Sequence, residues 1–163
     1  MRRHISVLFL FVFATGSVIG AEVENKSHLE GIRHLYMHLV AEGAPEITSA
    51  QKLDLSDIME LQLRRGGIPL RTYVVNQPAS NVPLAELTVR GSGRKTTGDF
   101  ELVLRLRDHV TIDRNGERTV ATTFVLRREG SAEGAESAVR AIKAELRGLM
   151  ADFVEIFREV NPR

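Results

Sequence analysis

Phe100-Glu-Leu-Val-Leu-Arg-Leu-Arg-Asp-His-Val-Thr-Ile112, Asp113-Arg-Asn-Gly116 and Glu117-Arg-Thr-Val-Ala-Thr-Thr-Phe-Val-Leu-Arg-Arg128 follow one another without a gap, and their pairing decides the fold. Alternation puts Leu102, Leu104, Leu106, Val110 and Ile112 on one side of a strand, interrupted by Asp108. It puts Val120, Thr122, Phe124 and Leu126 on one side of the next. Asn115-Gly116 suggests a two-residue turn, but that register sets Leu106 against Val125 and Phe124 beside Arg107, which mixes the faces. A three-residue loop, Arg114 to Gly116, pairs Leu106 with Phe124, Leu104 with Leu126 and Val110 with Val120. A slip of one residue sends the whole apolar set to water, so this second register is expected, with Gly116 in the left-handed conformation. The opposite face then gathers Arg105, Arg107, His109, Arg127, Thr111, Thr119 and Thr123, with Glu101 and Glu129 at its end. A sheet with one dry and one wet face is the usual antiparallel arrangement.

The elements around this hairpin supply cover for its dry face. Ser131 is placed to cap a last helix, with Glu133 and Glu136 in its first turns. Val139, Ile142, Leu146, Leu149, Met150, Phe153, Phe157 and Val160 follow at helical spacing, and Gly148 inside the run suggests a close approach to the sheet. Upstream, Thr48 and Gln51 have capping-box spacing for a helix from about Ser49 to Arg65, with Leu55, Ile58, Met59 and Leu63 near one face. Arg64 and Arg65 suit its C-terminal end, and Gly66-Gly67 stop it. Strands are expected over 31–42, 68–75 and 82–90, with Pro69 holding the second to an edge or a strand start. Residues 22–30 read as a loose lead-in. Residues 31–42 also fit a helix capped by Ser27 and Glu30, but Gly31 in the first turns and the short apolar run favour a strand. The order is β-α-β-β-β-β-α: a two-layer α+β sandwich, its sheet mostly antiparallel, with both helices on one face.

At the N-terminus, Met1-Arg2-Arg3-His4 is a basic lead and Ile5 to Ala14 an apolar run, followed by the small residues Gly16, Ser17, Gly20 and Ala21. This is the pattern of a secretory signal peptide over residues 1–21, leaving one domain over 22–163. The apolar run falls short of the ~20 residues a bilayer span needs, which argues against an uncleaved anchor. Arg2-Arg3 hints at a twin-arginine signal, but the residues after the pair do not support it. An exported protein, periplasmic or secreted, with no transmembrane span after cleavage, is expected.

Composition then excludes several chemistries. The chain has 163 residues with 22 Lys+Arg against 21 Asp+Glu, and no Cys or Trp. Disulfides, thiolate catalysis and thiolate metal sites are ruled out. Near-neutral charge and few aromatics speak against nucleic acid. Gly91-Ser-Gly-Arg-Lys-Thr-Thr-Gly98 has the wrong spacing for a phosphate loop and precedes a strand, so it reads as a hairpin connection. No Gly-x-Ser-x-Gly elbow is present, and no cofactor is expected.

The best candidate surface is the stripe Arg105, Arg107 and Arg127, suited to another envelope protein or an acidic ligand. The plainer reading makes it a solvated face whose arginine stems cover the sheet. The rival function is a small metal-dependent or hydrolytic enzyme using His34, His38 or His109 with Asp108. Two histidines without a third firm ligand make a weak metal site, and no metal ligand is assigned. The expected function is a non-enzymatic exported binding or envelope-associated domain, with a self-associating subunit joined by the last helix as a further possibility.

Three short motifs carry a resemblance. Leu63-Arg-Arg-Gly-Gly-Ile68 ends the first helix, Ala121-Thr-Thr-Phe124 lies in the last strand, and Phe153-Val-Glu-Ile-Phe-Arg-Glu-Val-Asn-Pro162 closes the chain. With the leader, this resembles a group of small exported bacterial proteins of unknown function. Their pattern has "L-R-x-A-G-I", a late aromatic and a terminal "F-x-x-x-Y-x-x-A-N-P". Gly66 stands here in place of the alanine, Phe124 where Trp is common, and Phe157 and Val160 in place of Tyr and Ala. The resemblance implies a fold similar to the N-terminal α/β domain of TolB. It brings no catalytic residue.

Overall fold

The computed structural model describes residues 26–42, 47–73, 81–91 and 99–162. The expected leader over 1–21, most of the 91–98 connection, and Val74 and Val75 of the second strand lie outside them. The elements run β1 (Leu35–Glu42), α1 (Ser49–Arg65), β2 (Leu70–Arg71), β3 (Leu84–Gly91), β4 (Phe100–Ile112), β5 (Glu117–Gly130) and α2 (Ala135–Val160), after a 3-10 turn at Lys26–Leu29. The five strands form one mixed sheet in the order β2-β1-β3-β4-β5. β1 pairs in parallel with β2 and β3, and the remaining pairs are antiparallel. Both helices cover one face. Leu55, Met59 and Leu63 of α1 and Ile142, Leu146, Leu149, Met150, Phe153 and Phe157 of α2 join Leu87, Leu102, Leu104, Leu106, Phe124 and Leu126 in a single core.

α1 forms where the capping box places it. Gln51 N donates to Thr48 Oγ1 at 3.2 Å and Thr48 N donates to Gln51 Oε1 at 2.8 Å. At its other end Gly67 takes φ 78°, and Arg158 of α2 donates to the carbonyls of Gly66 and Arg65, both at 3.1 Å. A cation thus meets two of the carbonyls a helix end leaves unpaired. A Cβ at Gly66 would lie 2.7 Å from Val154 Cγ2, so the glycine lets the end of α1 sit against α2.

The central hairpin follows the expected register only in its lower half. Leu104 pairs with Leu126 and Leu106 with Phe124, but between Leu106 and Arg107 the register shifts, leaving Thr123 as an extra residue on β5. Beyond the bulge His109 pairs with Val120 and Val110 with Thr119, which corrects the expected Val110–Val120 pair. Val120 therefore leaves the dry face and is 47 % exposed. The tip closes with four residues, Asp113 to Gly116, rather than three: Ile112 pairs with Glu117, and Asn115 N and Gly116 N donate to Ile112 O at 3.2 and 2.8 Å. Gly116 has the expected left-handed conformation, φ 70°. β3 stops pairing at Arg107, so residues 108–121 project as a two-stranded arm.

Other expectations shift at element ends. β1 starts at Leu35, which leaves His34 ahead of the strand, and β2 shrinks to Leu70–Arg71. The lead-in is not loose at Lys26–Leu29: the turn seats Leu29 fully in the core. Asn161 ties that turn to the end of α2. Its Nδ2 donates to Leu29 O and Phe157 O at 2.8 and 3.0 Å, and its Oδ1 accepts from Gly31 N at 2.8 Å. Ser131 does not cap α2; the cap is Gly134, with no side-chain cap bond, and Ser137 donates back to the carbonyls of Glu133 and Gly134. Gly148 makes room for a side chain rather than for the sheet backbone. The Arg128 guanidinium lies over it, where a Cβ would come within 2.5 Å of Nη1.

Candidate functional site

The register lays the uncovered face out in four rungs. Glu42, Arg90, Glu101 and Glu129 form the first, and Val40, Thr88, Val103 and Arg127 the second. His38, Glu86, Arg105 and Val125 form the third, and Tyr36, Leu84, Arg107 and Thr122 the fourth, with Arg71 of β2 beside Tyr36. All three arginines of the expected stripe lie here. Arg105 Nη1 donates to Thr88 Oγ1 at 3.2 Å, Arg107 Nη1 stands 3.7 Å from Glu86, and Arg127 Nη1 stands 3.4 Å from Glu101. Arg90 reaches Glu42 at 3.2 Å and Glu101 at 3.9 Å.

These side chains form a roof. No helix covers this face among the described residues, yet Val103 is 0 % and Thr88 2 % exposed. The apolar stems of long charged residues around them exclude water while their heads stay solvated. The positive stripe is thereby partly compensated: Glu86 lies between His38 and Arg107 and Glu101 between Arg90 and Arg127, while Arg105 meets only the Thr88 hydroxyl among the described residues. The face is an acid–base mesh over a small apolar centre rather than an open anion cradle.

No motif or periodicity points to the aromatic corner at one edge of this face. The chain has two tyrosines, and the structure brings both together with a histidine. Tyr36 and Tyr73 meet edge to face with ring centroids 5.8 Å apart, and the His38 ring lies 5.4 Å from Tyr73. His38 Nδ1 is 3.8 Å from Glu86. Tyr73 follows a strand of only two residues, so no periodicity marks its direction.

The residues of the rival catalytic reading are not brought together. His38 lies on the third rung of β1, whereas His109 lies in the projecting arm, about 16 Å away by strand spacing and rise. Alternation puts Asp108 on the face opposite to His109, and its Oδ1 accepts from His109 N at 2.6 Å. His28 serves the edge of β5, its Nδ1 2.8 Å from Thr123 O. Among the described residues, no three His, Asp or Glu side chains gather so that they could hold a metal ion. No described helix is long and apolar enough to cross a membrane.

No protein-family model matches the chain, and neither does any curated protein. Solved structures do match. The fold is similar to PelC from Paraburkholderia phytofirmans, solved as a dodecamer, at 15 % identity and a TM-score of 0.52, over 85 % of this chain and 96 % of that one. A single-residue variant of that PelC aligns at 14 % identity and a TM-score of 0.47, over 78 % and 89 % of the two chains. A homologue of the neuraminyllactose-binding haemagglutinin from Helicobacter pylori aligns at 11 % identity and 0.41, over 84 % and 87 %. The resemblance to the TolB domain rests on the sequence motifs alone. At 15 % identity the property shared with the PelC structure is the fold alone.

Proposed function

We propose that this chain is an exported, non-enzymatic domain of the bacterial envelope that binds a protein partner through the uncovered face of its sheet. The observation that carries this reading is the make-up of that face. A dry centre at Val103 and Thr88 is ringed by arginines and flanked by the Tyr36–His38–Tyr73 corner. Tyrosine and arginine around a desolvated centre are the chemistry of protein contact surfaces. An open four-strand sheet face also suits a macromolecule better than a small molecule, which prefers a concave pocket. Export rests on the leader at residues 1–21. The PelC structure that shares the fold is a dodecamer, so this arrangement of strands and helices can carry protein–protein contacts.

The test is crosslinking in the native envelope. A partner held by this face loses its crosslinks to an Arg105→Glu, Arg107→Glu chain and to a Tyr36→Ala, Tyr73→Ala chain. It keeps them with Arg147→Glu on the helix side. Equal capture by all three variants rejects the reading.

A further inference from the structure

The uncovered face is not charged evenly, and the unevenness has a direction. At one end the rung Glu42, Arg90, Glu101, Glu129 holds three acids and one base. At the other end Arg71, Arg105 and Arg107 outnumber Glu86. Val40, Val103 and Val125 lie between, with Arg127 at the β5 edge of the second rung. Apart from Arg90–Glu42 at 3.2 Å, the ion pairs within the face are long. Arg127–Glu101 is 3.4 Å, Arg107–Glu86 3.7 Å and Arg90–Glu101 3.9 Å, where a tight N–H···O pair between charges closes to about 2.8 Å. The acids and arginines at both ends therefore retain capacity for further partners.

A surface that is acidic at one end and basic at the other complements itself when a copy is turned over. We infer that the partner of this face is a second copy of the chain, packed sheet to sheet. The two-fold axis lies between the faces and runs across the strands. That axis places the Glu101 end of each copy over the second copy's Arg107 end, and β4 over β4. An axis along the strands would set acid on acid, so the charge pattern selects one orientation. Two sheets stacked this way form the familiar aligned sandwich. Four strands by four rungs span about 19 by about 27 Å, or about 500 Å² a side, which suits a weak, reversible dimer.

This inference rests on the contact role proposed for the face, and one experiment separates the two. Chain purified after export is followed by sedimentation velocity over rising concentration. Association is expected, and it weakens at least tenfold in 0.5 M salt as charge pairs are screened (about a 4 Å Debye length). Glu101→Arg alone and Arg107→Glu alone are expected to stay monomeric, because each sets like charges opposite one another. Mixed in equal amounts, the two variants are expected to associate again, since both contacts then join opposite charges. Glu101→Gln with Arg107→Gln removes both charges without setting like charges together and is expected to associate several-fold more weakly. A chain that stays monomeric throughout, or variants that do not recover on mixing, overturns the inference. If the chain is monomeric but the face variants still lose their envelope crosslinks, the contact role stands and only the identity of the partner falls. If those crosslinks are also unaffected, both fall.

Discussion

On its helix side the sheet excludes water with leucines and phenylalanines under two helices. On its other side the same strands exclude water from Val103 as fully, with arginine and glutamate stems and, among the described residues, no helix over them. The ion pairs differ in the same sense. Beneath α2, Arg128 donates to Asp152 at 2.9 Å and to Glu145 at 3.0 Å. The Asp152 hydrogen bond, with help from Glu145, holds the guanidinium above its ordinary pKa against the opposing pull of burial. On the uncovered face, pairs at 3.4 to 3.9 Å predominate. The comparison separates two kinds of dryness. One is made by packed side chains with few alternatives; the other is made by long side chains that can rearrange and leave room for a partner.

Core truncation tests that distinction with the largest effect. Phe124→Ala is expected to cost about 3–5 kcal/mol and Leu104→Ala about 2–5 in urea unfolding. Val103→Ala, equally buried but roofed by mobile stems, is expected to cost about 1–2 kcal/mol. Equal losses at Leu104 and Val103 would show that the arginine roof is as rigid as the helices.

Next comes the close approach at the edge of the covered face. Phe100 pairs across the hairpin with Gly130, and its ring lies where a Gly130 side chain would stand. Gly130→Ala must displace a buried ring and is expected to cost about 1–3 kcal/mol. Gly148→Ala meets only the end of the Arg128 side chain, and a helix-propensity gain of about 1 kcal/mol offsets part of the disturbance. Its net effect on the thermal midpoint is expected to be smaller than that of Gly130→Ala.

Ion pairs give the smallest effects. Arg128→Met is expected to cost about 1–2 kcal/mol, kept low because both carboxylates are partly solvated. Arg107→Met, whose pair is long and exposed, is expected to cost under about 0.5 kcal/mol. An Arg107 effect on stability as large as the Arg128 effect would end the contrast between the two faces. A raised arginine pKa contributes stability that is fully present below the unfolded value and lost only in strong alkali. Stability between pH 5 and 9 should therefore not track Arg128, which unfolding across that range can check.

Much of the fold is legible in short-range chemistry. The Thr48–Gln51 box and the Gly66-Gly67 stop place α1 at Ser49–Arg65, because caps act within one turn. The pairing of Leu104 with Leu126 follows from apolar matching across two neighbouring strands. The bulge at Thr123 is not legible: Thr122 and Thr123 are alike, and which one is extra depends on where β3 and the helices stop covering the hairpin. The role of Gly148 is also hidden, since the arginine that needs the space comes from another element. At the candidate site, alternation is enough to put Arg105, Arg107 and Arg127 on one face. The Arg107–Glu86 pair depends on a diagonal neighbour that the register of β3 supplies, whereas the Arg127–Glu101 pair is a diagonal of β4 and β5 and follows from the hairpin register itself.

The amino-acid order by itself determined the extent of α1 and the body of α2, which face of the central hairpin is dry below the bulge, and that the layers are one sheet and two helices. Those are consequences of periodicity and caps, which act over a few residues. Only the tertiary structure decided the parallel seating of β1 between β2 and β3, the clamp of Asn161 on Leu29, the meeting of Tyr36 with Tyr73 and the charge gradient along the uncovered face. Each of these joins segments far apart in the chain, and the energy of such contacts depends on where the whole core places them.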